Sequence, residues 1–176
     1  MRGKLLLPAV ALLAAASLSV VGAPPQAKNF VAHLSGGEEV PERDTNATGQ
    51  AIFHLSPDGS SLEYKLIVAN INNVVASHIH LGPVGVNGPI VAFLAGPLPP
   101  AGGRVDGILA QGTITSADLT GPLAGMSLSV LIEAMRTGGA YVNVHTNDGI
   151  DPPNTGPGDF PGGEIRGQIR TAGPNH

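Results

Sequence analysis

Apolar residues recur at alternate positions in segment after segment of this chain, the pattern of strands with one buried face. Phe30, Ala32 and Leu34 alternate with Val31 and His33 and predict a first strand, closed by Ser35-Gly36-Gly37. Glu38 to Thr48 is polar and irregular, and reads as a loop. Ala51, Phe53 and Leu55, then Leu62, Tyr64, Leu66 and Val68, predict a hairpin around the turn Pro57-Asp58-Gly59-Ser60. Further strands are predicted at Ser77–Leu81, Pro89–Leu94, Gly107–Ile114, Tyr141–Thr146 and Ile165–Ile169, with Gly- and Pro-rich loops between them. One segment has another period. Leu128, Leu131, Ile132 and Met135 form a helix face, with Ser127 to cap it and Gly138-Gly139 to end it. Thr115 and Asp118 have capping-box spacing for a single turn. About eight strands and one helix predict a sandwich or barrel of antiparallel strands.

The first 23 residues stand apart. Arg2 and Lys4 precede a nearly unbroken apolar stretch, Leu5 to Val21, and the small residues Gly22 and Ala23 follow, which predicts a signal peptide over 1–23. A membrane-spanning helix is the rival reading. No basic flank follows Ala23, and a signal's apolar region is shorter than the ~20 residues a span needs, so cleavage is favoured. The expected organisation is a linker over 24–28, one domain over 29–170 and a disordered tail over 171–176. The product would be secreted or periplasmic, with no transmembrane segment in the mature chain. The 176-residue chain carries a formal charge of −4, and losing Arg2 and Lys4 makes it more acidic, so nucleic acid is not an expected partner. With no cysteine there is no disulfide staple, and stability must come from the core. A domain of this size can build one. The 25 Gly and 16 Pro cut the chain into short elements, and four Phe, two Tyr and no Trp leave the packing to aliphatic side chains.

Seven stretches, in order, carry a family likeness: Phe30 to Gly36, Glu39-Val40-Pro41, Ala47-Thr48-Gly49, Ser77 to Pro83 (SHIHLGP), Val86 to Pro89 (VNGP), Tyr141 to Thr146 (YVNVHT) and Phe160 to Gln168 (FPGGEIRGQ). Through them the chain resembles the chordin (CHRD) domain over residues 29–170. The resemblance implies an exported, all-β, immunoglobulin-like Greek-key antiparallel β-sandwich, with the one short helix crossing an end. It supplies no reaction. In animal chordin such domains belong to an extracellular antagonist of bone morphogenetic proteins. The segment Asn147 to Asp159 is longer than the family's usual link between the His-Thr and Phe-Pro-Gly-Gly stretches.

His78-x-His80 is the sharpest chemical feature. Alternate strand residues share a face, so both imidazoles point one way from Cα atoms roughly 7 Å apart. His145 shares a face with Tyr141 and Asn143 on another strand. If the two strands are neighbours, three imidazoles converge, a donor set suited to copper or zinc, and Glu164 could add an oxygen. The rival reading makes these histidines part of a buried polar network that ties down Asn87 or Thr146. Glu39, Glu164 and Arg166 suggest an Arg–carboxylate pair fastening the Glu39 loop to the last strand. Asp148, Asp151 and Asp159 offer oxygens to Ca²⁺ but lack the ladder of an EF-hand loop. His33 and His54 occupy outward positions, and His176 is terminal. No G-x-S-x-G elbow, P-loop or H-E-x-x-H occurs, so no enzyme is expected. The functional expectation is an exported binding module for a protein, glycan or matrix partner. The alternative is a Cu- or Zn-binding protein using His78, His80 and His145.

Overall fold

The computed structural model describes residues 27–150, 154 and 156–173. The predicted signal segment, Asp151 and His176 lie outside the described residues.

The alternation becomes nine strands: β1 (Asn29–Ser35), β2 (Thr48–Leu55), β3 (Leu62–Asn72), β4 (Val74–Leu81), β5 (Ile90–Ala95), β6 (Arg104–Ile114), β7 (Ala140–Thr146), β8 (Ile165–Gln168) and β9 (Arg170–Thr171). All pair antiparallel in one sheet of order β5-β4-β7-β8-β1-β2-β3-β6, with β9 on β1. The mostly-β, antiparallel expectation is met. The hydrogen bonds form one continuous path that curls until its ends approach, where the Tyr64 hydroxyl on β3 donates to the Leu94 carbonyl on β5 at 2.8 Å. Strand pairing also reaches Thr171, which faces Phe30, and the Ala172 N–H donates to the Asn29 carbonyl.

Side chains at the predicted inward positions are buried: Phe30, Ala32 and Leu34 on β1, Ala51, Phe53 and Leu55 on β2, and Leu62, Leu66 and Val68 on β3. At Asn70 the β3 backbone enters the left-handed region (φ 57°) and the register with β6 shifts between Val68 and Ile71. This bulge lets both Val68 and Ile71 reach the core despite their odd spacing. The single α-helix, α1 (Leu128–Arg136), buries Leu128, Leu131, Ile132 and Met135 as the periodicity requires. Ser127 caps it by accepting from the Ser129 N–H at 3.3 Å, and Thr115 and Asp118 complete their capping box around the 3-10 turn Ser116–Asp118. Among the described residues, no helix is long and apolar enough to cross a membrane.

Candidate metal centre

The site begins with strand pairing. β4 and β7 are neighbours, with His78 opposite Asn143, His80 opposite Tyr141 and His145 opposite Ala76. Ser77 and Ile79 point into the core with no exposed surface, so His78 and His80 take the other face. The three imidazoles meet there. Their ligand nitrogens all lie within 4.8 Å of one another, and His78 Nδ1 is 3.1 Å from His145 Nε2.

Two backbone carbonyls set the tautomers. His80 Nδ1 is 2.9 Å from the Gly88 carbonyl, and His145 Nδ1 is 2.9 Å from the Pro161 carbonyl. A carbonyl accepts only from an N–H, so each ring carries its proton on Nδ1 and leaves Nε2 bare. The Nε2 of His80 is buried without a hydrogen-bond partner. An orphaned buried acceptor is costly, and here it faces the other two rings. This arrangement, with two of the imidazoles anchored through Nδ1 and turning Nε2 to the cluster, is how proteins orient metal-binding histidines.

The surroundings keep the rings neutral. Burial, then repulsion from His145 and His80, pushes the His78 pKa down to about 4. Burial also lowers His80, against the Gly88 carbonyl, and lowers His145, against the Pro161 carbonyl. At neutral pH all three offer lone pairs. Tyr141 stacks on His80 (ring centroids 4.9 Å apart, 13° between planes), and Phe93 from β5 lies perpendicular to His78 with ring centroids 4.7 Å apart. The Gly88 N–H donates to the Tyr141 hydroxyl at 3.1 Å, so this glycine is held from both sides. Gly88 has no room for a side chain, since a Cβ there would run into the Leu81 carbonyl.

Glu164 does not join the group. The chain bends at Glu164, which takes its side chain off the alternation of β8 and turns it toward Thr146. Its carboxylate, fully buried, accepts from the Thr45 hydroxyl (2.6 Å), the Thr146 hydroxyl (2.7 Å) and the Gly158 N–H (2.9 Å). The carboxylate therefore fastens two loops.

The expected Arg166–carboxylate pair is replaced by a different fastening. Arg166, 1% exposed, donates to Asn87 Oδ1 (3.1 Å) and to the carbonyls of Pro83 (3.1 Å) and Val86 (3.0 Å), and lies 3.5 Å from the Tyr141 ring centre. It makes no ion pair with Glu39 or Glu164. Glu39 instead accepts from Asn143 Nδ2 at 2.6 Å. Burial raises the Glu39 pKa to about 7, with Arg166 and Arg43 pulling it back only in part. A protonated Glu39 suits its neighbour, because Asn143 Oδ1 is buried and needs a donor.

The raised pKa has a measurable consequence. A carboxyl that holds its proton more tightly when folded contributes stability that is fully present below its unfolded value and is lost as pH rises through about 7. The three histidines act in the opposite sense, being fully stabilising above about 6.5 and less so as pH falls. Comparing Glu39→Gln with the parent isolates the carboxyl. Urea denaturation from pH 5 to pH 8.5 is expected to show the variant gaining on the parent by roughly 2 kcal/mol across that range, after allowance for partial solvent screening. A constant difference between the two would remove the buried, neutral Glu39 from the account.

The remaining candidates fall outside the cluster. His33 and His54 are exposed, as expected, and lie opposite Gln50 and Asn29 and not each other. Asp148 accepts from the Ile150 N–H at 2.8 Å, a turn contact, and Asp159 is buried. Among the described residues, only the three histidines form a group able to hold a metal ion. Phe93, Gly88 and Pro161 had no place in the sequence reading of this site. Two of them act through backbone carbonyls, which leave no side-chain signature.

Fold and site together define an all-antiparallel β domain with a three-imidazole cluster on the outer face of two paired strands. The chain belongs to the CHRD domain family, whose model matches residues 30–169. No curated protein matches it.

Proposed function

We propose that this CHRD domain is a non-catalytic binding module whose ligand is a transition-metal ion, copper or zinc, held by His78, His80 and His145. The observation that carries the reading is the bare, buried Nε2 of His80, directed at two other neutral imidazoles. Metal–nitrogen bonds of about 2.1 Å require donors about 3.4 Å apart in a tetrahedral set. The His78–His145 pair at 3.1 Å is already near that spacing, and small side-chain rotations would bring in His80. Without an ion, His78 Nδ1–H donates to His145 Nε2. With one, the His78 proton moves to Nε2 and both lone pairs turn to the metal. Imidazole suits copper and zinc alike, and the general affinity order favours Cu²⁺.

The module would act outside the cytoplasm, after removal of residues 1–23. The seam between β1 and β8 is thin, a single paired position, Ser35 with Arg166, before β9 resumes the pairing with β1. That seam supports reading β5-β4-β7-β8 and β1-β2-β3-β6 as the two layers of a Greek-key sandwich.

Elemental analysis of protein produced with copper or zinc supplied tests the metal assignment. One ion per chain is expected, and none in the His78→Ala/His80→Ala variant. A metal-free parent, with a large stability loss in the double variant, would make the histidines a structural network instead.

A further inference from the structure

Resting on that metal assignment, we infer that an ion held here keeps one exchangeable coordination position, on the Phe93 side, and that this position takes a small anion. The donor count comes first. Three imidazoles converge, and among the described residues no carboxylate completes the group. The nearest candidates are committed elsewhere: Glu164 to Thr45, Thr146 and Gly158, and Glu39 to Asn143. Three protein ligands leave a tetrahedral ion with a fourth position for an exogenous donor.

The layout of the face gives this position a direction. The segment carrying Gly88 covers His80 and Tyr141, and Arg166 ties its Pro83–Asn87 part down. The turn carrying Pro161 covers His145, and Glu39 covers Asn143. Toward β5, Phe93 packs against His78 as its cross-strand partner. Phe93 is 48% exposed, and Ala76 beside His145 is also partly open. On this side the boundary of the cluster with solvent is formed by Phe93 and the partly exposed His145.

Charge selects the occupant. Neutral imidazoles leave the ion's full double positive charge uncompensated. The Arg166 guanidinium adds a further positive charge, lying on the Tyr141 ring that stacks on His80. Such a position prefers anions to neutral donors. Exchange is a simple substitution, in which the metal–water bond breaks and a metal–anion bond forms with no change of oxidation state.

Azide added to the Cu²⁺-loaded protein is the probe. Copper binding is established first, by the ion's own visible and paramagnetic resonance signals. Azide is then expected to produce a new, saturable charge-transfer band, and Phe93→Ala, compared at equal copper occupancy, is expected to bind azide several-fold more tightly. Copper bound without an azide band would mean a fourth protein donor saturates the ion, and would overturn the inference while leaving the metal assignment standing. Equal azide affinity in Phe93→Ala would overturn the assignment of the opening to the Phe93 side. Failure to bind copper would bring down the metal assignment and this inference with it.

Discussion

Glu164→Ala is expected to destabilise the fold by about 3–5 kcal/mol. The carboxylate is fully buried and satisfies two hydroxyls and a backbone N–H, from Thr45, Thr146 and Gly158. Truncation leaves the buried Thr146 hydroxyl and Gly158 N–H without an acceptor, each at a cost of about 1–3 kcal/mol, frees the part-buried Thr45 hydroxyl, and opens a void beside them. The loop before β2 and the loop after β7 lose a shared anchor. Glu164→Gln keeps one oxygen acceptor but turns an amide N–H₂ toward a donor, so an intermediate loss is expected. Urea denaturation of both variants measures the order. Metal stoichiometry should stay at the parent value in Glu164→Gln, because the carboxylate lies outside the histidine group. A loss within 1 kcal/mol of zero for alanine would mean that water replaces the carboxylate, contrary to its burial.

Arg166→Met should damage stability and the site together. Methionine fills much of the space without charge, but the carbonyls of Pro83 and Val86 and the side chain of Asn87 lose their donors. The guanidinium also leaves the Tyr141 ring. A cost of roughly 2–4 kcal/mol is expected, short of a full buried-charge deletion because Asn87 is exposed and can turn to water. The second effect passes through Gly88. With the Pro83–Asn87 segment released, the Gly88 carbonyl no longer fixes the His80 ring, and loss of such an orienting contact typically weakens metal binding 10- to 100-fold. Arg166→Lys should rescue little, since an ammonium cannot reproduce a planar fork reaching three acceptors. Competition against a chromogenic chelator would read the metal affinity. Unchanged affinity in a destabilised Arg166→Met would disconnect the segment from the site.

Much of this architecture was legible because side-chain alternation is a rigid geometric rule. Phe30, Ala32 and Leu34 point inward for the same reason that His78 and His80 share a face. The helix face of α1 and its Ser127 cap were equally plain. Alternation cannot say which strands are neighbours, so the meeting of His145 with the pair was conditional until β4 was found beside β7. It also fails wherever the backbone departs from extended geometry. The bulge at Asn70 and the bend at Glu164 are two such places, and the second turned an apparent metal ligand into a loop fastener. Opposite charge does not bring Arg166 and Glu39 together, because it says nothing about competing partners. Two backbone carbonyls, the Asn87 side chain and the Tyr141 ring take Arg166, and Asn143 takes Glu39.

X-ray absorption at the metal edge of the copper- or zinc-loaded protein bears most directly on the tri-histidine centre. Three imidazole nitrogens at about 2.0–2.1 Å, with their outer-ring scattering and one further light atom, are expected. A shell of oxygens without imidazole scattering would contradict it, as would a spectrum unchanged in His145→Ala.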